Sequence, residues 1–163
     1  MKSLREGVNV RSRSGFYVTK TTTDPLETRV QDVRDALDSP IDYTGFPVRV
    51  AIGATTDAGN GKRTVAYRVL VPANTITIDE DDGNRVSLEV AYSVMDHQGN
   101  VVDRNGATNN MKLKPNGVKM LSERGMLYDN IFSVPPGEYS VRFVIRDNLS
   151  GRTGSVSLPL RVE

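Results

Sequence analysis

The chain has 163 residues, contains no cysteine and carries a net charge of +1, with 21 basic and 20 acidic side chains. This length suits one domain with an added segment and can bury a core without disulfides, and the missing cysteines exclude disulfides, thiolate metal ligands and cysteine nucleophiles. The balanced charge gives no electrostatic basis for binding nucleic acid or an anionic membrane surface, and ten aromatic residues without tryptophan disfavour aromatic stacking platforms.

Residues 1–24 are predicted to form a joining strand segment. Val8, Val10, Phe16 and Val18 share one strand parity, whereas the middle of the stretch, 11–15, is too polar and flexible for a central core strand. We therefore expect this stretch to be a joining strand that lies against further structure. Cut free from its natural neighbours, the strand should either fray or pair with the same segment of a second molecule to give a symmetric homodimer.

A helix is predicted over residues 25–40. Asp24 is a good N-cap, Pro25 suits the first helical position, and Glu27 completes a capping-box spacing. The sequence Ser39-Pro40 should end the helix. Its apolar residues form a narrow stripe expected to dock on a core, namely Leu26, Val30, Val33 and Leu37.

Residues 45–163 are predicted to form a β-sandwich, because from there the apolar period is two. Nine segments are predicted to be whole strands or parts of strands: FPVRVAI, TVAYRVLV, NTITID, RVSLEVAYSVMD, VVDR, MKLK, MLYDNIFSV, YSVRFVIR and VSLPLRV. The stretch TTDAGNGK is predicted as a turn, and GVKMLSERG fits a short helix or a loop.

Each strand should present one apolar and one polar face. The polar positions expected to face solvent include Ser87, Ser93, Arg142 and Arg146, and Pro159 marks the last strand as an edge strand. The predicted fold class is therefore mainly β: an immunoglobulin-like or fibronectin-III-like antiparallel sandwich with one N-terminal helix.

No residues meet the requirements of a metal, cofactor or catalytic site. Asp79, Asp81 and Asp82 lie in an acidic turn and are weak metal candidates, since the EF-hand pattern would put Ile78 at the first ligand position. His97, the single histidine, is expected to be a solvated turn residue. No P-loop, dinucleotide fingerprint or nucleophile elbow occurs. We expect no enzymatic activity.

Tyr139 follows a Pro-Gly turn at the start of a strand in PPGEYSV. This arrangement is similar to the tyrosine corner of immunoglobulin-like sandwiches, in which the hydroxyl bonds back to nearby backbone. We therefore predict a structural role for this hydroxyl.

Five segments occur in a recognisable order: LREGVNVRSRSGFY, ALDSPI, GFPVRVAI, LEVAYSVMDHQGNVVDR and PPGEYSVRFVIRDNLSGRTGSV. Together they resemble the C-terminal region of the acidobacterial-type von Willebrand factor A-related proteins. In that family an A domain comes first, followed by an Arg-x-Arg-x-Gly-aromatic segment, here residues 11–16. The resemblance implies an exported parent, secreted or held at the cell surface or in the periplasm, and a binding or structural role. No catalytic residues carry over, and the Asp-x-Ser-x-Ser metal-adhesion motif of the A domain is missing from this chain.

The expected function is that of a non-enzymatic spacer or docking module beside a missing A domain, with a protein or the adjacent domain of the parent as partner. Nucleic acid and membrane insertion are not expected, since the charge is balanced and no apolar run reaches membrane-spanning length. The chain start, Met1-Lys2-Ser3-Leu4, leads into charged sequence and does not read as a signal peptide. Two alternatives stay open: a carbohydrate- or cell-surface-binding module, and an accessory domain of a hydrolase.

Overall fold

The computed structural model describes residues 25–163. In chain order its elements are α1 (Pro25–Asp38), β1 (Arg49–Gly59), β2 (Lys62–Val71), β3 (Arg85–Asp96), β4 (Val101–Lys112), α2 (Pro115–Arg124), β5 (Met126–Val134), β6 (Gly137–Asp147) and β7 (Thr153–Val162). The predicted joining strand and the Asp24 cap lie outside the described residues.

The described strands form two antiparallel sheets. The smaller has the order β1-β2-β5 and the larger the order β4-β3-β6-β7. Alternate side chains of both sheets point inward because successive residues of a strand face opposite sides. The mainly β antiparallel sandwich with an N-terminal helix is thus confirmed, while the finer immunoglobulin-like assignment stays a prediction.

The core between the sheets follows the predicted alternation. Its centre is a group of four aromatic rings, with the Tyr67 and Phe143 centroids 4.9 Å apart and the Tyr92 and Phe132 centroids 5.3 Å apart. Around them lie fully buried aliphatic side chains, including Val65, Val69, Val71, Val94, Val134, Val141 and Ile145. Burying each such side chain is worth about 1.5–3 kcal/mol, so this alternation is the main source of stability.

Helix α1 covers the outer face of the larger sheet. Val33, Ala36 and Leu37 are buried against Ala91 of β3 and Val144 of β6. The predicted stripe was therefore wrong in its first half, because Leu26 and Val30 are exposed. The helix ends at Asp38, just before the Ser39-Pro40 pair that was expected to stop it.

The predicted strand pattern was wrong in three places. The turn expected over TTDAGNGK is only Asn60-Gly61, because β1 continues to Gly59 and both turn residues adopt positive φ angles of 52° and 71°. The segment NTITID is not a strand and makes only an isolated bridge between Asp79 and Arg85. The segments VVDR and MKLK both belong to the twelve-residue strand β4.

The structure confirms that the last strand is an edge strand and shows that the ambiguous segment before β5 is helical. The ambiguous segment GVKMLSERG lies largely within α2, which begins with Pro115 at its N-terminal turn. Strand β7 is an edge strand, and Pro159 is exposed on it opposite Ser140. Neither helix of residues 25–163 has the length and apolar content needed to cross a membrane.

Candidate functional site

The two outer faces of the sandwich differ in whether a helix covers them. The outer face of the larger sheet lies under α1, whereas the smaller sheet has no described helix packed on its outer face. We call this second surface the bare face and define it by the outward side chains of β1, β2 and β5: Ala51, Gly53, Ala66, Arg68, Leu127, Asp129 and Ile131.

Arg142 fixes α1 to the sandwich. It was predicted to face solvent from β6, but only 2% of it is exposed. Its Nε donates to the carbonyl of Ala36 at 2.7 Å, Nη1 donates to Asp42 and Nη2 to the carbonyl of Ile41. Nη1 and Nη2 also donate to serine hydroxyls of β7, at 2.8 and 2.9 Å. All five N–H donors of the guanidinium can be used in this arrangement, which is what makes a buried arginine tolerable.

Two more arginines hold the acidic side of α1. Arg146 of β6, also predicted to be solvent-exposed, is buried and donates to Asp32 from Nε and Nη2 at 3.1 and 2.8 Å. Arg104 of β4 pairs with Asp38 at the end of the helix. The outward positions of β3 and β6 are therefore interior positions, and Ser87 and Ser93 are buried with them. The prediction of a solvated polar face on these strands was wrong because α1 covers it.

The bare face combines exposed apolar side chains with a floor of very small residues. Leu127 and Ile131 of β5 are 59% and 56% exposed, respectively. Beside Ile131, a groove of about 490 Å³ is floored by Ala51, Gly53 and Ala66. These side chains point outward because their neighbours in β2 and β5, such as Tyr67 and Phe132, point into the core.

One ion pair stands in the middle of the bare face. Arg68 of β2 lies opposite Asp129 of β5 in the sheet and donates to both carboxylate oxygens, from Nε at 2.5 Å and from Nη2 at 2.8 Å. The hydrogen bond to the carboxylate raises the pKa of Arg68, and the same bond lowers the pKa of Asp129. Both side chains are more than half exposed, so this two-pronged pair keeps both charges at the surface of an otherwise apolar patch.

A second apolar groove adjoins the bare face at Leu127. It has a volume of about 430 Å³ and lies between α2 and the start of β5. Three methionines line it, Met111, Met120 and Met126, together with Leu113 and Leu121. Helix α2 buries none of its residues. Unbranched methionine side chains adapt to differently shaped apolar partners, so the groove extends the apolar surface of the bare face.

Tyr139 is placed as the tyrosine-corner pattern predicts. Its hydroxyl donates to the carbonyl oxygen of Pro135, four residues earlier, at 2.8 Å. Partial burial, followed by the nearby charge of Asp96, raises the pKa of Tyr139. The hydroxyl is thus used to hold the turn between β5 and β6 and does not belong to the candidate site.

The weak metal candidates face cations of the protein. Asp79 contacts Arg85 at 3.2 Å, and Asp82 contacts Lys112 and Arg85, both at 2.7 Å. The hydrogen bond from Lys112 is the main reason why the pKa of Asp82 is lowered. In the part of the chain that the structure describes, no group of three or more acidic or histidine side chains is placed to hold a metal ion.

Asp81 and His97 are both exposed turn residues. Neither belongs to the bare face or to the contacts beneath α1. His97 lies in the β3–β4 turn, where the Asp96 carboxylate accepts hydrogen bonds from the backbone N–H groups of Gln98 and Asn100.

The sequence contained signals for both the buried arginines beneath α1 and the bare face, although neither was predicted. Arg142 and Arg146 lie four residues apart on one parity of a strand, and their carboxylate partners Asp42 and Asp32 lie just after and within α1. For the bare face, the signal is the run of alanine and glycine at the outward positions of β1 and β2, where exposed strand positions usually carry longer polar side chains.

The fold and the site define a two-sheet antiparallel β-sandwich with one helix-covered face and one bare face. No protein-family model and no curated protein sequence shows a significant match to this chain. Solved structures with partial similarity include a glycosyl hydrolase family 2 member from Bacteroides cellulosilyticus, 11% identical with a TM-score of 0.46. They also include a β-glucuronidase from Bacteroides uniformis, 11% identical with a TM-score of 0.44.

The matches cover 74% and 71% of this chain but only 15% and 13% of those proteins. At these scores the likeness carries no argument about what this chain does.

Proposed function

We propose that the chain is a non-enzymatic β-sandwich module that serves as a spacer and as a protein-docking domain. Its bare face is the docking surface, and the adjacent domain of a longer parent or a separate protein is its partner. The sandwich core and the arginine contacts to α1 give the rigid body that a spacer needs, because the helix cannot shift without breaking buried hydrogen bonds.

The observation that carries this proposal is the difference between the two outer faces. The larger sheet buries its outer face beneath α1, while the smaller sheet leaves Leu127 and Ile131 more than half exposed beside a groove of alanine and glycine. Contiguous exposed apolar surface, continued here by the methionine-lined groove, is typical of protein interaction sites.

The carbohydrate-binding alternative finds no support in the aromatic residues. Sugar sites use exposed aromatic rings as stacking platforms, and the aromatic residue that lines the groove of the bare face, Tyr67, is only 4% exposed. Tyr67, Tyr92, Phe132 and Phe143 all point into the core. A glycan array showing specific binding that is lost in Ile131→Asp would favour the alternative over protein docking.

For the biological setting, we propose an exported parent in which a von Willebrand factor A domain precedes this module. The support is the order of sequence segments from LREGVNV to GRTGSV, which resembles the acidobacterial-type family. The reading frame of the parent gene tests this part directly. An upstream Asp-x-Ser-x-Ser motif is expected, and a frame without an A domain would contradict it.

Docking through the bare face can be tested by carbene footprinting of the isolated chain and of the full-length parent. We expect labelling of Leu127 and Ile131 to fall when the partner domain or partner protein is present. Val101, which is 48% exposed at the start of β4 and lies outside the bare face, should be labelled equally in both samples. Unchanged labelling of Leu127 and Ile131 in every assembly of the parent would contradict the docking role.

A further inference from the structure

The bare face carries both halves of a self-complementary contact. Ile131 projects from it, and the groove floored by Ala51, Gly53 and Ala66 lies directly beside that side chain. In a two-fold symmetric interface, residue i of one copy contacts residue j of the other, and the reverse contact follows by symmetry. A projecting side chain and a recess on one surface can therefore both be filled by a second copy of that surface.

The charges of the bare face have the same property. Arg68 and Asp129 lie side by side and sum to zero, so a partner with a strong net charge of either sign gains little from them. A second copy turned by 180° brings each arginine near the aspartate of the other copy. The two intramolecular pairs then become one neutral group of four charges.

We propose that the bare face binds the bare face of a second copy of this chain. Ile131 of each copy enters the alanine and glycine groove of the other, and Arg68 of each copy lies against Asp129 of the other. This inference rests on the docking role proposed for the bare face and names the occupant as a second copy. It uses a different surface from the N-terminal strand considered in the sequence analysis.

Charge reversal gives the sharpest test, with sedimentation velocity of the 163-residue chain as the measurement. Arg68→Asp leaves only carboxylates at the centre of the face, and Asp129→Arg leaves only guanidinium groups. Each variant alone is expected to dimerise at least about tenfold more weakly than the unaltered chain, because like charges now oppose each other. A mixture of the two variants should form a 1:1 heterodimer, because opposite charges then meet across the interface.

Ile131→Lys should also abolish the dimer, since a charged side chain cannot enter the apolar groove. Val101→Lys is the matched control, as it adds the same charge at an exposed valine outside the face, and it should leave the dimer intact. Urea melts of every variant check that the fold is retained, and the heterodimer itself shows that both charge variants are folded.

Three results would overturn the inference: a monomeric chain at every concentration, a dimer that survives both charge reversals and Ile131→Lys, or variants that fail to pair when mixed. A monomeric chain whose bare face is nevertheless protected in the parent would exclude the second copy as occupant and leave the docking role in place. A chain that forms no dimer and whose bare face is also unprotected in the parent would overturn both the second-copy inference and the docking role.

Discussion

Replacing Arg142 by methionine should detach α1 from the sandwich. Methionine has a similar length but no donors, so the carbonyl of Ala36 loses the arginine donor in a buried site. The hydroxyl of Ser155 keeps the backbone N–H of Tyr43 as a partner. Asp42, which is about half exposed, can be hydrated instead. Leaving a buried hydrogen-bond acceptor without a donor costs about 1–3 kcal/mol.

This loss is a sizeable fraction of the total stability of a single domain, which is about 5–15 kcal/mol. With a urea dependence of about 2 kcal/mol per molar, the urea midpoint should fall by roughly 0.5–1.5 M. Hydrogen exchange of α1 amides, measured in native buffer, should accelerate more than that of β2 amides, because the helix loses its anchor while the core between the sheets stays intact.

Arg104→Met is the control for this experiment. It removes a contact to the same helix, but both Arg104 and Asp38 are partly exposed to water, so the free energy of unfolding should change by less than about 1 kcal/mol. Equal stability losses in Arg142→Met and Arg104→Met would refute the reasoning that burial makes Arg142 the anchor. So would Arg142→Met with an unchanged midpoint.

Three further changes test other parts of the structure. Tyr139→Phe should lower the free energy of unfolding by about 0.5–1 kcal/mol with an unchanged circular dichroism spectrum; an unchanged urea midpoint would mean that the bond to Pro135 contributes nothing. Asp147 is buried; although burial alone raises the pKa of Asp147, hydrogen bonds to its carboxylate outweigh this and hold the pKa below its ordinary value. Its stabilising contribution is therefore present above the unfolded pKa of about 3.9 and is lost as the pH falls through the folded pKa. Asp147→Asn should be less stable than the unaltered chain at pH 7 and should lose less stability when the pH is lowered. Equal losses of stability in acid for the two proteins would count against this. Gly154→Ala would place a Cβ 2.5 Å from a backbone carbonyl oxygen and should cost at least about 1–3 kcal/mol. Gly117→Ala in α2, whose nearest contact would be 3.6 Å, is its control in thermal melts and should not be destabilised, because alanine favours a helix over glycine.

Local patterns in the sequence were sufficient for the strands of the core but not for what covers them. Val65, Tyr67, Val69 and Val71 alternate in the sequence and are all buried, because the backbone of a strand alone decides which side chains share a face. In contrast, the burial of Arg142 depends on contacts with α1, about a hundred residues earlier. The spacing of the arginines and the acidic residues were visible in the sequence, but no local pattern pairs residues so far apart, and arginine is rarely buried unless it is paired.

The same limit applies to the candidate site. The outward position of Ile131 follows from its strand parity, but whether outward means solvent-exposed depends on which sheet receives the helix. Sequence periodicity treats Val144 of β6 and Ile131 of β5 alike, as apolar residues on the outer parity. In the structure Val144 is buried under α1, and Ile131 is exposed on the bare face.

The contact between Arg142 and the carbonyl of Ala36 spans 106 residues, and this separation has a consequence for biosynthesis. The ribosome delivers α1 before β6, and at about 5–20 residues per second the interval between the two is roughly 5–20 s. During that time the nascent helix has only the earlier strands β3 and β4 to pack on, because Val144 and the two buried arginines of β6 are not yet present. The helix can therefore be fixed in place only after the strand that carries Arg142 and Arg146 has left the exit tunnel.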